Sequence, residues 1–153
     1  MEDNKKLMRL MSLMIAGMAK SLHEMFGEAA HAVMSETGRS ILEIMERDMG
    51  LKLEGREPDE ALAAIGRAFK EELGFVDSFA VSRNGNQLTV TLHGCQGWDM
   101  TQAVLKTGVD SPFTCPIMNV CQAALIRMGR PARKSIAPLP ETRGSAITFT
   151  LIE

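Results

Sequence analysis

The chain has 153 residues, which suits a single domain large enough to form a buried core. Charged residues make up 24% of it and hydrophobic residues 45%, the usual balance of a folded globular protein. The formal net charge is −2, and no basic run extends beyond Lys5-Lys6, so we expect no nucleic-acid partner. No apolar segment reaches the length of a membrane span, and the acidic residues Glu2 and Asp3 disfavour a signal peptide.

Methionine and cysteine are the informative residue types. There are 12 methionines but few aromatic residues. Flexible methionine side chains fill irregular cores and also line apolar pockets, and the composition leaves both interpretations open. The three cysteines cannot all pair within one chain and are too sparse for a disulfide scaffold, which predicts a reducing, cytoplasmic location.

Three helices are predicted in the first half of the chain. The first covers about residues 4 to 25, the second about 28 to 49, and the third begins at Pro58. In the second helix Gly38 predicts a close helix crossing, because a central glycine otherwise costs helix stability. The first helix carries an apolar stripe with spacings of three and four residues, formed by Leu7, Met11, Met14, Met18, Leu22 and Met25.

Alternation with a period of two then predicts strands at residues 75–82 and 87–93, joined by a turn at Asn84-Gly85. The remaining predicted elements are a short helix at 98–106, a helix at 115–128 that ends at Gly129, and a final hairpin of strands 134–139 and 146–152. The predicted class is therefore α+β, with N-terminal helices packed on an antiparallel sheet of two hairpins and a helix between the hairpins.

All three cysteines and one histidine fall between residues 93 and 121. Cys115 precedes Pro116, a residue typical of the first helical position, so it occupies or adjoins a helix N-cap. The helix dipole lowers a thiol pKa there, which favours thiolate chemistry, metal ligation or oxidation. A semi-buried cap without a functional role is the alternative. Cys121 lies on an apolar helix face, where packing in the core is the simpler interpretation.

His93 and Cys95 point the same way if the strand stays extended. The pair could then provide two ligands of a tetrahedral site that Cys115 and Cys121 complete. The candidate cofactors are zinc, an iron–sulfur cluster or haem, although the spacing matches no standard pattern. A histidine paired with backbone at a strand end is the alternative for His93.

Three apolar side chains near this segment, Trp98, Phe113 and Met118, are candidate walls of a ligand pocket, with core packing as the alternative. His23 and His31 lie beside glutamates and are expected on solvated helix faces. No phosphate-binding loop or Ser-His-Asp arrangement is present, so an enzyme is disfavoured. The remaining catalytic hypothesis is Cys115 as a nucleophile with His93 as its base.

A hairpin that ends near a cysteine, a Cys-Pro helix start and a last hairpin turned by a glycine resemble the 4-vinyl reductase domain family. Gly38 and the Glu72-Leu-Gly-Phe75 step are similar too, and the resemblance covers about residues 28 to 152. It implies binding of a small molecule or hydrocarbon between helices and sheet, often in dimeric sensors, with one branch linked to tetrapyrroles. Zinc-ligating cysteines of some members are missing here at residues 138–147.

Two hypotheses follow for the function. The first is a small-molecule binding or sensor domain for an apolar ligand or tetrapyrrole, in which residues 1–26 form a homodimerisation helix and residues 27–153 the binding domain. The second is a cysteine-centred metal, haem or redox-sensing module that uses His93, Cys95, Cys115 and Cys121. Neither hypothesis includes a membrane as a partner.

Overall fold

The computed structural model of the protein describes residues 1–53 and 55–152. These residues form five α-helices and four strands, joined by 3₁₀ turns at Gly27–Ala29 and Pro140–Thr142. A π-helical segment, Ala68–Glu72, extends the third helix. The helices are α1 (Glu2–Phe26), α2 (Ala30–Met49), α3 (Pro58–Arg67), α4 (Trp98–Leu105) and α5 (Pro116–Arg127), and the strands are β1 (Ser78–Asn84), β2 (Gln87–His93), β3 (Ala132–Leu139) and β4 (Gly144–Leu151).

The four strands form one antiparallel sheet in the order β1-β2-β4-β3. The two hairpins meet through the central pair β2 and β4, and α5 connects them in sequence. One sheet face carries Leu88, Val90 and Leu92 from β2 with Ile147 and Phe149 from β4, all buried beneath α3 and α5. The predicted α+β class and the arrangement of two hairpins with a helix between them are confirmed.

The residue bounds of strand β1 and of the turn that follows it differ from the prediction. β1 begins at Ser78 because the backbone N–H of Phe75 donates to the Phe69 carbonyl (2.8 Å), which keeps this segment tied to the preceding helix. The turn residues are Gly85 and Asn86, since Asn84 already pairs with Gln87. Gly85 has φ +62° at the first turn position, the pattern of a type II′ hairpin.

Helix α1 packs on its own chain mainly through residues outside its apolar stripe, and of the stripe residues Leu22 joins this contact. Ala16 and Ala19 are buried, and these small side chains let α4 pack closely against α1. The stripe residues Met11, Met14 and Met18 stay exposed. None of the helices in residues 1–53 and 55–152 has the length and hydropathy needed to cross a bilayer.

The close helix crossing predicted at Gly38 is confirmed. Helices α2 and α5 pack against each other there, and Gly38 is buried. A Cβ atom added at Gly38 would lie 2.3 Å from the carbonyl oxygen of Asn119. Because this neighbour is backbone, the crossing distance depends on the missing side chain at residue 38.

We expect Gly38→Ala to lower the free energy of unfolding by about 2 kcal/mol, because the clash with backbone outweighs the gain in helix propensity. Chemical denaturation monitored by circular dichroism measures the change. Glu43→Ala, at an exposed position of the same helix, is the control and should change stability by less than about 0.5 kcal/mol. Equal stability of Gly38→Ala and the wild type would contradict the close crossing.

Candidate functional site

A small cavity, called here the inner cavity, lies where α4, the start of α5 and the sheet meet. Its volume is about 20 Å³, which is room for about one water molecule. Its lining combines apolar side chains, two thiols and three hydroxyls, and includes Phe75, Leu92, Trp98, Ile136, Cys95, Cys115, Thr101, Thr114 and Ser145. The structure gives these three hydroxyl groups no side-chain hydrogen bond to another described residue.

A larger apolar space, the helix groove, opens between α1 and α2. It has a volume of about 780 Å³ and is lined on these helices by Met14, Met18, Leu22, Met34 and Ile41, among others. Three further residues, Met100, Thr114 and Pro116, line both the groove and the inner cavity. These shared side chains therefore form the wall between the two spaces.

Cys95 is held by backbone hydrogen bonds on the loop after β2. Its N–H donates to the Arg143 carbonyl (2.9 Å), and its carbonyl accepts from the N–H of Trp98 (3.1 Å), where α4 begins. Its side chain is half-buried and lines the inner cavity. Burial raises the pKa of the Cys95 thiol, and a hydrogen bond from the backbone of Gly97 opposes this effect.

Cys115 occupies the N-cap of α5, as the sequence predicts, but its predicted acidity is wrong. Burial raises the pKa of the Cys115 thiol to about 11, and the backbone N–H groups of Met118 and Ile117 only partly offset this. Desolvation therefore outweighs the helix N-terminus. Cys121 lies fully buried in the main core, the cluster of apolar side chains between the helices α2, α3 and α5 and the sheet, as its apolar helix face indicates. Burial raises the pKa of its thiol as well.

His93 faces away from the inner cavity. Its Nδ1 lies 2.7 Å from Oγ1 of Thr142, and alternation along β2 puts His93 on the sheet face opposite Leu92. Gly94 has φ +61°, so the extended backbone that would align His93 with Cys95 ends between them. The structure brings Cys95 and Cys115 to one cavity and leaves His93 and Cys121 outside its lining.

The three predicted pocket residues occupy different places. Trp98 lines the inner cavity, whereas Met118 is buried in the main core. Phe113 belongs to a second, smaller core cluster that includes Ala19 of α1 and Val104 of α4. Its ring stacks on that of His31, and the two ring centroids are 5.0 Å apart. His31 is therefore half-buried, whereas the sequence analysis expected it on a solvated helix face. The expectation for His23 also changes, because its Nδ1 is buried and has no hydrogen-bond partner within the described chain.

Two polar residues that the sequence analysis did not single out organise this region. Asn119 is fully buried, and its Nδ2 donates to the carbonyls of Phe113 (2.9 Å) and Cys115 (3.0 Å). Its Oδ1 accepts from Nζ of Lys134 on β3 (2.9 Å), and Lys134 also donates to Oε1 of Gln122 (2.6 Å). Burial lowers the pKa of Lys134. In the sequence, this role is indicated by a single amide side chain, Asn119, within the otherwise apolar run Ile117–Cys121.

The raised thiol pKa values predict slow alkylation at neutral pH, because a raised pKa keeps the thiol protonated there. With iodoacetamide we expect Cys95 to react first and Cys115 much more slowly, at a rate that rises with pH toward about 11. Mass spectrometry of the digested protein measures each site, and Cys115→Ser assigns the peptide. Preferential alkylation of Cys115 at neutral pH would contradict this order.

Comparison with known proteins places the chain in a sequence family. The family model described as "Putative rubredoxin C-terminal domain" matches residues 11–152. No curated protein matches the chain. The sequence family found is therefore described differently from the 4-vinyl reductase domain family that the residue pattern resembles.

Solved structures with the same fold include one sensory domain and two H-NOX structures. The phenol-responsive sensory domain of the transcription activator PoxR, solved with phenol, has a TM-score of 0.57 and 12% identity, over 92% of this chain and 74% of that one. The Fe(II) unliganded H-NOX protein from K. algicida has a TM-score of 0.51 and 13% identity, and a point mutant of it gives 0.51 and 14%. This chain spans 64% of each H-NOX chain, covering 81% of its own length. At these identities the likeness shows the fold.

The family description raises the question of a metal centre. A site with four thiolate ligands needs four cysteines, whereas this chain has three. Within residues 1–53 and 55–152, no three His, Cys, Asp or Glu side chains are grouped so that they could hold a metal ion. The described residues of one chain therefore do not fit a metal site with three or four such ligands.

Proposed function

This chain belongs to the family described as "Putative rubredoxin C-terminal domain", and we propose that it is a small-molecule sensor domain. Its ligand is a small, largely apolar molecule that binds in the inner cavity. The observation that carries this proposal is the shared wall of Met100, Thr114 and Pro116 between the inner cavity and the helix groove.

The shared wall provides a route for opening the site. Met100 is half-buried, and a methionine side chain is unbranched and flexible. Rotation of Met100 toward the groove joins the two spaces, which makes room for a ligand that the inner cavity of about 20 Å³ excludes. A flat tetrapyrrole needs far more displacement than a single aromatic ring, so the proposal favours the smaller ligand.

The lining of the inner cavity fits a ligand with one polar group. Leu92, Trp98 and Ile136 offer apolar contacts, and the hydroxyls of Thr114 and Ser145 offer hydrogen bonds. Ligand sites commonly combine apolar walls with a few polar groups that fix orientation. The PoxR sensory domain shares the fold and was solved with phenol, which makes phenol a suitable first probe.

Helix α4 supplies the link from binding to a response. It carries Trp98 and Met100 at the inner cavity and packs against α1. A ligand that displaces Met100 therefore acts on the helix that supports α1. This coupling is what distinguishes the proposed sensor from a passive carrier of apolar molecules.

We expect phenol to bind the wild-type protein saturably in isothermal titration calorimetry. Ser145→Val should weaken binding at least about tenfold, because the larger side chain fills the cavity and removes a hydroxyl. Thr148→Val, on the outer face of the same strand, is the matched control and should bind like the wild type. Unchanged affinity in Ser145→Val, or no saturable binding of phenol or a related small aromatic to the wild type, would contradict the proposal.

The second candidate function is a thiol-centred redox or soft-metal module, now limited to Cys95 and Cys115. It is favoured by one observation: both thiols line the same cavity. Two thiolates would supply two ligands to a soft cation such as Cu(I), while the raised pKa of each thiol opposes its ionisation.

Elemental analysis and an ultraviolet–visible spectrum of protein purified without oxygen separate the two candidates. The sensor proposal predicts a blank spectrum, no stoichiometric metal, and phenol binding that largely survives Cys115→Ser. A metal or chromophore that is lost in both Cys95→Ser and Cys115→Ser, but kept in Cys121→Ser, would favour the thiol module.

A further inference from the structure

We propose that a further cavity of the protein is a binding site for a small aromatic carboxylate. This cavity, called here the outer cleft, lies between the first half of α1 and the loops at one end of the sheet, and its volume is about 820 Å³. Ligand sites in proteins commonly have volumes of roughly 300–1,000 Å³. The inference does not rest on the ligand proposed for the inner cavity.

The charged side chains of the outer cleft carry an excess of positive charge. They are Lys5 and Arg9 on α1, Asp77 before β1, Asp99 on α4 and Arg143 before β4. Three cations against two carboxylates leave one positive charge, whereas the whole chain has a formal net charge of −2. The cleft therefore attracts a monoanion, while its two carboxylates disfavour a ligand that carries a second negative charge.

Lys5 and Arg9 are two cationic side chains that the described chain leaves unpaired. They are four residues apart on α1 and line the same wall of the cleft, so their like charges repel each other. Within residues 1–53 and 55–152 neither has a carboxylate partner, whereas the neighbouring Lys6 pairs with Glu2 (3.8 Å). A bound carboxylate would offset this repulsion, because its two oxygens accept hydrogen bonds from both cations.

Arg143 supplies a third cation from a different wall, and its backbone is unusual. Among the described residues other than glycine, only Arg143 has a positive φ, with φ 52° and ψ 46°. Glycine would adopt this left-handed conformation more readily than a residue with a Cβ atom. Because unfavourable backbone conformations concentrate at functional sites, the arginine at this position points to a use of its side chain.

The turn that carries Arg143 is held in place by backbone hydrogen bonds. The N–H of Gly94 donates to the Thr142 carbonyl (2.9 Å), and the N–H of Cys95 donates to the Arg143 carbonyl (2.9 Å). The guanidinium group of Arg143 donates to Oδ1 of Asp99 (3.0 Å), an exposed pair that a ligand carboxylate can replace at little cost. The side chain at residue 143 can therefore be changed without loss of the bonds that fix the turn.

Met8 favours a ligand with an aromatic ring. It is half-buried and lines the same wall as Lys5 and Arg9. The sulfur of methionine makes favourable contacts with aromatic rings. Inorganic phosphate has no apolar part and carries more negative charge at neutral pH, so the cleft suits an aromatic carboxylate better. Benzoate is therefore the probe for the test.

The test is a titration of benzoate into ¹⁵N-labelled protein, followed by nuclear magnetic resonance. We expect saturable shifts of the backbone amides of Gln96 and Arg143, which line the outer cleft and not the inner cavity. Benzamide has nearly the same shape without the charge and should bind at least about tenfold more weakly. Phosphate that binds the same residues as tightly as benzoate would contradict the ligand class.

Arg143→Gly is the decisive variant, because glycine suits the backbone of the turn and removes only the side chain. It should weaken benzoate binding at least about tenfold while circular dichroism shows an unchanged fold. Arg133→Gln is the control, since Arg133 is exposed on β3 outside the cleft and its loss also removes one positive charge. Unchanged affinity in Arg143→Gly, or an equal loss in Arg133→Gln, would overturn the inference.

Ser145→Val separates the two cavities, because Ser145 lines the inner cavity and not the outer cleft. We expect this variant to bind benzoate like the wild type. Benzoate binding that is lost in Ser145→Val and kept in Arg143→Gly would assign benzoate to the inner cavity and overturn the inference. If phenol fails to bind while benzoate binds and Arg143→Gly weakens it, only the proposed function is contradicted.

Discussion

The contact between α2 and α5 is the constraint on which the rest of the site depends. Gly38 brings α2 onto the backbone of Asn119, and Asn119 in turn binds the carbonyls of Phe113 and Cys115. Lys134 connects the same amide to β3. The start of α5 is therefore fixed between a helix and the sheet, and this position sets the walls of the inner cavity.

Desolvation decides the chemistry that this position allows. The same helix N-terminus that would activate an accessible thiol lies beside a desolvated thiol on the half-buried residue Cys115, and the pKa of Cys115 rises to about 11. A protonated thiol behaves as a small apolar group with a weak S–H donor. Cys115 is therefore better suited to contact a ligand than to act as a nucleophile, since the nucleophile is the thiolate. The sensor proposal and the electrostatics of Cys115 therefore agree.

Periodicity and glycine placement were sufficient to predict the element order, the α+β class and the crossing at Gly38, because each depends on local pattern. It was harder to predict which side chains come together in space. Gly94 adopts a left-handed conformation that separates His93 from Cys95, and no local pattern indicates this. The burial of the Cys115 thiol and the bonds of Asn119 depend on α2, α4 and β3, which are distant in sequence, so the raised pKa lay beyond local reasoning.

The most direct test of the central claim is a nuclear magnetic resonance titration of phenol into protein in which the methionine methyl groups and the tryptophan indole nitrogen are isotopically labelled. The single tryptophan, Trp98, reports on the inner cavity alone, Met100 reports on the wall that both spaces share, and Met14 and Met18 report on the helix groove alone. We predict saturable shifts at the Trp98 indole and the Met100 methyl group. Shifts confined to Met14 and Met18, or none at any of these groups, would contradict a ligand site in the inner cavity.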